Sequence, residues 1–291
     1  MRGVFDIVGP VMIGPSSSHT VGPMKAAAAF ADLLHAENLD TQVARIVIEV
    51  YGSLALTGIG HGTFDALLLG LEGSLPHDIP LADIPQRLER IRTQHVLKLN
   101  GREMAFNPEK DLDIRGDKVL PKHPNGLNFI AYNSDGQKLK EQIYYSVGGG
   151  FIVTDEGFAQ EAQENSDVPY PYKNCDELLA QCRLNQLNIS EVVLANEAAL
   201  AGCDEAEVRR RVAAVADVME NCIKRGLGAE GQLPGGLNVR RRAPQLAAKL
   251  KVLRESEIVN TQLWPMVYAM AVNEENAAGG RVVTAPTNGA C

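Results

Sequence analysis

The chain has 291 residues, 45% of them hydrophobic and only 5% aromatic, which suits two domains with aliphatic cores. Its 28 Lys and Arg against 36 Asp and Glu leave a formal net charge of −8, which argues against nucleic acid or an anionic membrane as the main partner. The opening Met-Arg-Gly-Val-Phe-Asp-Ile lacks the apolar run of a signal peptide, and no stretch is long enough to span a bilayer, so a cytoplasmic protein is expected. Cys175, Cys182, Cys203, Cys222 and Cys291 form an odd, dispersed set without a Cys-x-x-Cys pair. That pattern fits a reducing compartment and argues against a disulfide scaffold or a zinc site.

In chain order, the first informative stretch is Gly14-Pro15-Ser16-Ser17-Ser18-His19-Thr20-Val21-Gly22-Pro23, directly before an alanine-rich helical run. Such a loop presents hydroxyls and N–H groups at a helix N-terminus, where the dipole favours an anion such as a carboxylate. His19 adds a group that exchanges a proton near neutral pH. One cap needs one hydroxyl, so four hydroxyls and an imidazole point to a ligand-binding loop rather than to capping alone. Residues 43–51, rich in β-branched side chains, read as a strand, and 63–71 as a helix. Residues 127–132 and 139–146 flank Asn133-Ser134-Asp135-Gly136 as a hairpin. An α/β (α+β) domain is therefore expected over 1–153. A linker over 154–172 ends in Pro169-Tyr170-Pro171-Tyr172. An all-α domain follows over 173–291, with helices at 176–186, 190–201, 204–226, 243–254 and 262–278.

Four further segments are rich in polar atoms and glycine. In Gly60-His61-Gly62-Thr63, the flanking glycines clear space around the His61 ring, so it can serve a ligand or simply be exposed. Ser146-Val147-Gly148-Gly149-Gly150 ends a strand, either as a bulge or as a backbone nest for a carboxylate. The run Arg240-Arg241-Arg242 reads as a solvated basic surface, with anion binding the alternative. Finally, Asn273-Glu274-Glu275-Asn276 leads through Gly279-Gly280 into a strand-like run and then Thr284-Ala285-Pro286-Thr287-Asn288. There, side chains can orient a small polar substrate or bond their own backbone.

Together the loop at 14–24, Tyr51-Gly52-Ser53-Leu54, Tyr145–Phe151 and the motif from Asn273 to Ala290 closely resemble the iron–sulfur-dependent L-serine dehydratases of bacteria, in their single-chain form. The motifs run in the family's order along the whole chain. The resemblance implies a lyase that converts L-serine to pyruvate and ammonia without pyridoxal phosphate. A [4Fe–4S] cluster, held by three cysteines, would act as a Lewis acid on the serine hydroxyl. By motif, His61 is the expected base, and His19 a second proton handler or substrate orienter. Ser16, Ser17, Ser18, Thr20, Ser53, Thr63, Ser146, Gly148, Gly149, Thr287 and Asn288 are expected to line the serine pocket. A homodimer is the family expectation. The α/β domain also resembles the serine-sensing domain of some phosphoglycerate dehydrogenases.

One departure matters. The family's cluster cysteines lie downstream of the Thr-Asn-Gly-Ala-Cys segment, whereas this sequence stops at Cys291. The expectation is thus a chain lacking the C-terminal part of its family, with no metal ligand of its own and no activity by itself, the earlier cysteines being core or surface thiols. The alternative to an enzyme is a non-catalytic serine-sensing module or an inactive fragment.

Overall fold

The computed structural model describes residues 3–6, 8–160, 168–255 and 263–284. After β1 (Val11–Ile13) the chain makes one wide turn over Ser17–Val21 and enters α1 (Gly22–Ala36). Pro23 fits the first turn of α1, where its missing N–H has no partner to lose. β2 (Arg45–Tyr51) is the anticipated strand, with Ile46, Ile48 and Val50 fully buried on one face. α2 (Gly52–Thr57) and α3 (Thr63–Leu71) follow, and α3 lies against α1. Their contact is close because Gly70 has no side chain: a Cβ there would sit 2.2 Å from the carbonyl oxygen of Met24.

Next come α4 (Ile84–Glu89), the hairpin β3 (Val96–Leu99) and β4 (Arg102–Ala105), α5 (Pro108–Asp111) and β5 (Leu112–Arg115). β6 (Gly126–Tyr132), β7 (Lys138–Gly148) and β8 (Phe151–Thr154) complete a five-stranded sheet of order β5-β2-β6-β7-β8. Only the β2–β5 pair is parallel. The β6–β7 turn falls at 133–136, where the Asn133 side chain accepts the N–H groups of Asp135 and Gln137. Phe30 of α1 stacks on Phe129 of β6 at 5.2 Å between ring centres, which fixes the helix layer on one face of the sheet.

Beyond α6 (Gly157–Gln160) the chain is helical: α7 (Cys175–Asn185), α8 (Ile189–Ala201), α9 (Glu205–Gly228), α10 (Ala243–Glu255) and α11 (Leu263–Ala277). Asn174, Asn188 and Asp204 cap the first three of these through their side chains. The fold is thus an α/β region followed by a helical one, as the sequence implied. Its first residues, however, are fastened to the helical part. β9 (Arg281–Val283) pairs antiparallel with β1, Val11 opposite Val283 and Ile13 opposite Arg281. Met12, Val21, Cys222 and Val282 close a small core across that junction. The Val4 N–H donates to buried Glu197 of α8 at 2.6 Å.

The expectation of a uniformly solvated run at 240–242 is corrected. The Arg241 side chain is only 10% exposed and is ion-paired with Glu275 at 2.9 Å. A basic run at the foot of a helix can bury one member when an acidic residue of a neighbouring helix meets it.

Candidate active site

The serine-rich loop is held in shape by its own hydroxyls. The Ser16 Oγ accepts the His19 N–H at 3.1 Å, and Thr20 Oγ1 accepts the Ser16 N–H at 3.1 Å. Thr20 Oγ1 then donates to the His61 carbonyl at 2.6 Å, tying this loop to the glycine-flanked one before α3. From the other side, Thr63 Oγ1 donates to the His19 carbonyl at 2.6 Å and Ser146 Oγ to the Ser18 carbonyl at 2.7 Å. Thr20, Thr63 and Ser146 are 3%, 0% and 1% exposed. These three hydroxyls, expected to line the pocket, give their only protons to backbone carbonyls.

The two histidines meet. Their ring centres lie 4.8 Å apart, although the residues are separated by 42 positions and an intervening strand. His61 Nδ1 is 3.1 Å from the Thr57 carbonyl, an acceptor only, so in the neutral ring Nδ1 carries the proton and Nε2 the lone pair. His19 Nδ1 is 2.8 Å from Ser18 Oγ and its Nε2 is 2.9 Å from Ser53 Oγ. Burial holds the His19 pKa below its ordinary value, and the neighbouring charge of His61 lowers it further. Ser17, half-buried like Ser16 and Ser18, differs from them in that its hydroxyl has no partner among the described residues.

Gly148, Gly149 and Gly150 all have positive φ (97°, 59° and 76°), where only glycine rests without strain. They turn β7 into β8 across a register shift, and Gly150 backs onto Val21, where a Cβ would lie 2.8 Å from Cγ1. Thr287 and Asn288 lie outside the described residues, as does Cys291. Among the described residues, Cys175 is exposed, Cys182 and Cys203 are half-buried and Cys222 is buried, all as free thiols. No group of three or more His, Cys, Asp or Glu among the described residues is placed to hold a metal ion.

Residues beyond those singled out for serine bring the helical part to this loop. The Asn276 amide donates to the Pro15 carbonyl at 3.1 Å, and the Gly14 N–H bonds the Gly280 carbonyl at 3.1 Å. The fit is tight: a Cβ on Gly14 would stand 1.9 Å from the Asn276 carbonyl oxygen. Glu274 accepts the N–H groups of Arg242 and Ala243 at the start of α10, and Glu275 pairs with Arg225 and Arg241. A run of four acidic and amide residues inside an otherwise apolar helix was the available signal. A cleft of about 520 Å³ opens between the two parts, walled by Gly14, Thr20, Gly60 and Gly62 on one side and Gly235 and Ala278 on the other.

Two expected results arise from this geometry. Thr63→Val removes the buried hydroxyl's bond to the His19 carbonyl, a loss of about 0.5–1.5 kcal/mol in denaturant titration. Ser17→Ala is expected to leave that stability unchanged and to weaken serine binding in calorimetry. The second concerns pH. Because the folded His19 pKa lies below that of the unfolded chain, its neutral form contributes stability that is full above about pH 6.5. That contribution is lost as pH falls through the lower folded value. Comparing melting curves of the parent and His19→Gln between neutral and mildly acid pH checks this, since the variant should lose part of the acid sensitivity.

An α/β region thus carries two adjacent histidines among hydroxyl-rich loops, and a helical region packs against those loops. The serine dehydratase beta chain family model matches residues 3–157, and the serine dehydratase alpha chain model residues 184–291. The chain belongs to the serine dehydratase family. It is 46% identical over 290 residues to an L-serine dehydratase of Streptomyces coelicolor, covering 99% of this chain and 63% of that protein. It is 45% identical to L-serine dehydratase 2 of Escherichia coli (100% and 64% covered) and 40% identical to an L-serine dehydratase of Helicobacter pylori (96% and 61%). The chain thus spans a little under two thirds of the length of these relatives.

Proposed function

We propose that this chain supplies the serine-binding and proton-transfer groups of an L-serine dehydratase, which eliminates water from L-serine and releases pyruvate and ammonia. The observation that carries the reading is the pair of adjacent imidazoles, one flanked by two glycines and with no hydrogen-bond partner at Nε2 among the described residues. In this reading His61 Nε2 takes the proton from the substrate α-carbon, the Cβ–O bond breaks, and aminoacrylate leaves to hydrolyse. Ser17 and the N–H groups of the loop hold the substrate carboxylate, with Thr287 and Asn288 completing the pocket. Thr20, Thr63 and Ser146 position the loop instead of touching substrate.

The reading places the site where a 1–153 domain meets a 173–291 domain, in a cytoplasmic homodimer that engages neither nucleic acid nor membrane. The β1–β9 pair and the Asn276 bond to Pro15 favour it over a free-standing serine sensor, which has no need of a helical partner at its binding loop. The [4Fe–4S] cluster implied by the family does not fit the described residues. Their thiols are scattered over α7, the turn after α8, and α9, with no group assembled around a common centre. No step is therefore derived through it. The test, on the complete protein with its cluster in place, is formation of pyruvate and ammonia in equal amounts from L-serine, with D-serine as control. Serine binding without either product favours the sensor.

A further inference from the structure

We propose that α9 is the central helix of a larger helical domain, its middle enclosed by helices from the part of the family's length that this chain does not span. Residues 212–219 read Val-Ala-Ala-Val-Ala-Asp-Val-Met, seven apolar side chains out of eight. A helix that is apolar all round belongs inside a core. This one faces water. Val212 is 51% exposed and Met219 40%, and Ala213, Ala214 and Ala216 are exposed as well.

The ends of α9 are not bare in this way. Near its start Val208 is buried, and α8 packs against the helix. Towards its end Cys222 and Gly226 are buried, and a Cβ on Gly226 would stand 2.4 Å from the Ala271 carbonyl oxygen of α11. The helix is thus held at both ends, with its most apolar stretch uncovered between them. Its far end also reaches the candidate site. Cys222 shares a small core with Met12, Val282 and Val21, the last residue of the serine-rich turn. Whatever encloses the middle of α9 is therefore joined by one rigid helix to the loop that carries His19.

The width of the exposed arc decides what covers it. Successive residues of a helix turn by about 100°. Val212, Ala216 and Met219 share one side, while Ala213 stands about 100° and Ala214 about 200° round from Val212. The arc covers more than half the circumference. A second copy docked across a two-fold axis covers one stripe of such a helix and leaves Ala214 or Ala216 in water. Covering both takes neighbours on two sides. The relatives have the length to supply them: the matched stretch fills 63%, 64% and 61% of their chains, so more than a third of each remains. Helices average about 11–12 residues, so a remainder of that size holds several.

The tests need no turnover, so they stand apart from the elimination reading. Ala214 and Ala216 point about 160° apart and report on two sides of α9. Ala214→Cys and Ala216→Cys are made in the 291-residue chain and in the complete protein, this chain extended to the family's full length. Each is treated with a maleimide under native conditions, and the modified peptide is located by mass spectrometry, which keeps the native thiols apart. Both positions should react in the chain, and both at least about tenfold more slowly in the complete protein. Unchanged reaction at either position in the complete protein overturns the central placement. Protection in the chain itself that grows with protein concentration assigns the surface to a second copy and overturns it too.

A charge gives an independent reading. Glutamate suits a helix, so Ala214→Glu and Ala216→Glu should each leave the melting temperature of the chain within about 2 °C of the parent. In the complete protein each should lower it by about 10 °C or more, or prevent folding, because the carboxylate is then buried without a partner. A complete protein that tolerates either charge as well as the chain does refutes the enclosure.

Discussion

In the complete protein with its cluster rebuilt, His61→Ala is expected to lower the rate of serine-dependent pyruvate formation by about two to four powers of ten, the range for loss of a positioned general base. The geometry behind this is specific. With Nδ1 donating to the Thr57 carbonyl, the ring is held in the tautomer that leaves Nε2 able to accept a proton. Gly60 and Gly62 carry no side chains that crowd it, and Gly62 (φ 63°) turns the backbone into α3 just after the ring. The substitution should spare the fold. The bond from Thr20 reaches the His61 carbonyl, and the His61 N–H bonds Thr57, so neither depends on the imidazole. Steady-state rates at saturating serine, alongside melting curves, separate chemistry from stability. Turnover within about twofold of the parent, where a lost base costs at least a hundredfold, would remove His61 from this role. His19 would not replace it easily, since both its ring nitrogens are already bonded to serines.

Much of this site was legible in the sequence because its parts are local. A strand ending in Gly52-Ser53, a helix beginning at Thr63 and a histidine between glycines can each be read within a dozen residues. The five main helices of the second half fall within a few residues of their sequence-derived limits for the same reason: periodicity and Asn or Asp caps are short-range signals. What the sequence did not disclose is how those parts meet. β1 and β9 have three residues each and are separated by well over two hundred positions, so neither shows a pattern that names its partner. Likewise, a hydroxyl reads the same whether it faces a ligand or a carbonyl. Thr20, Thr63 and Ser146 were expected to line the pocket, yet their protons are directed at backbone carbonyls of the two loops. Arg241 misled for a related reason, since its partner Glu275 lies 34 positions away on another helix.

That partner is where the largest loss of stability is expected. Glu275 is 5% exposed and accepts from Arg225 at 3.0 Å and from Arg241 at 2.9 Å, joining α9, the segment before α10, and α11. Its backbone carbonyl also receives the Gly280 N–H, so the residue sits where the chain turns from α11 towards β9. Glu275→Ala removes the only carboxylate that either arginine is ion-paired with among the described residues. Arg225, with its side chain 38% exposed, can recover water, whereas Arg241 at 10% cannot. Breaking a buried pair from one side costs about 3–5 kcal/mol, and the partial exposure of Arg225 places the expected loss near the lower end. Glu275→Gln, which keeps the shape and one acceptor, should fall between this variant and the parent. The exposed Lys224–Glu220 pair on α9, open to water on both sides, gives the contrast: Glu220→Ala should change stability very little. Urea titration of the three variants decides the matter. If Glu275→Ala proves no more costly than Glu220→Ala, the clamp is not what holds α11 in place. The support it lends through Asn276 to the Pro15 carbonyl, and so to the His19 loop, would have to come from the β1–β9 pairing alone.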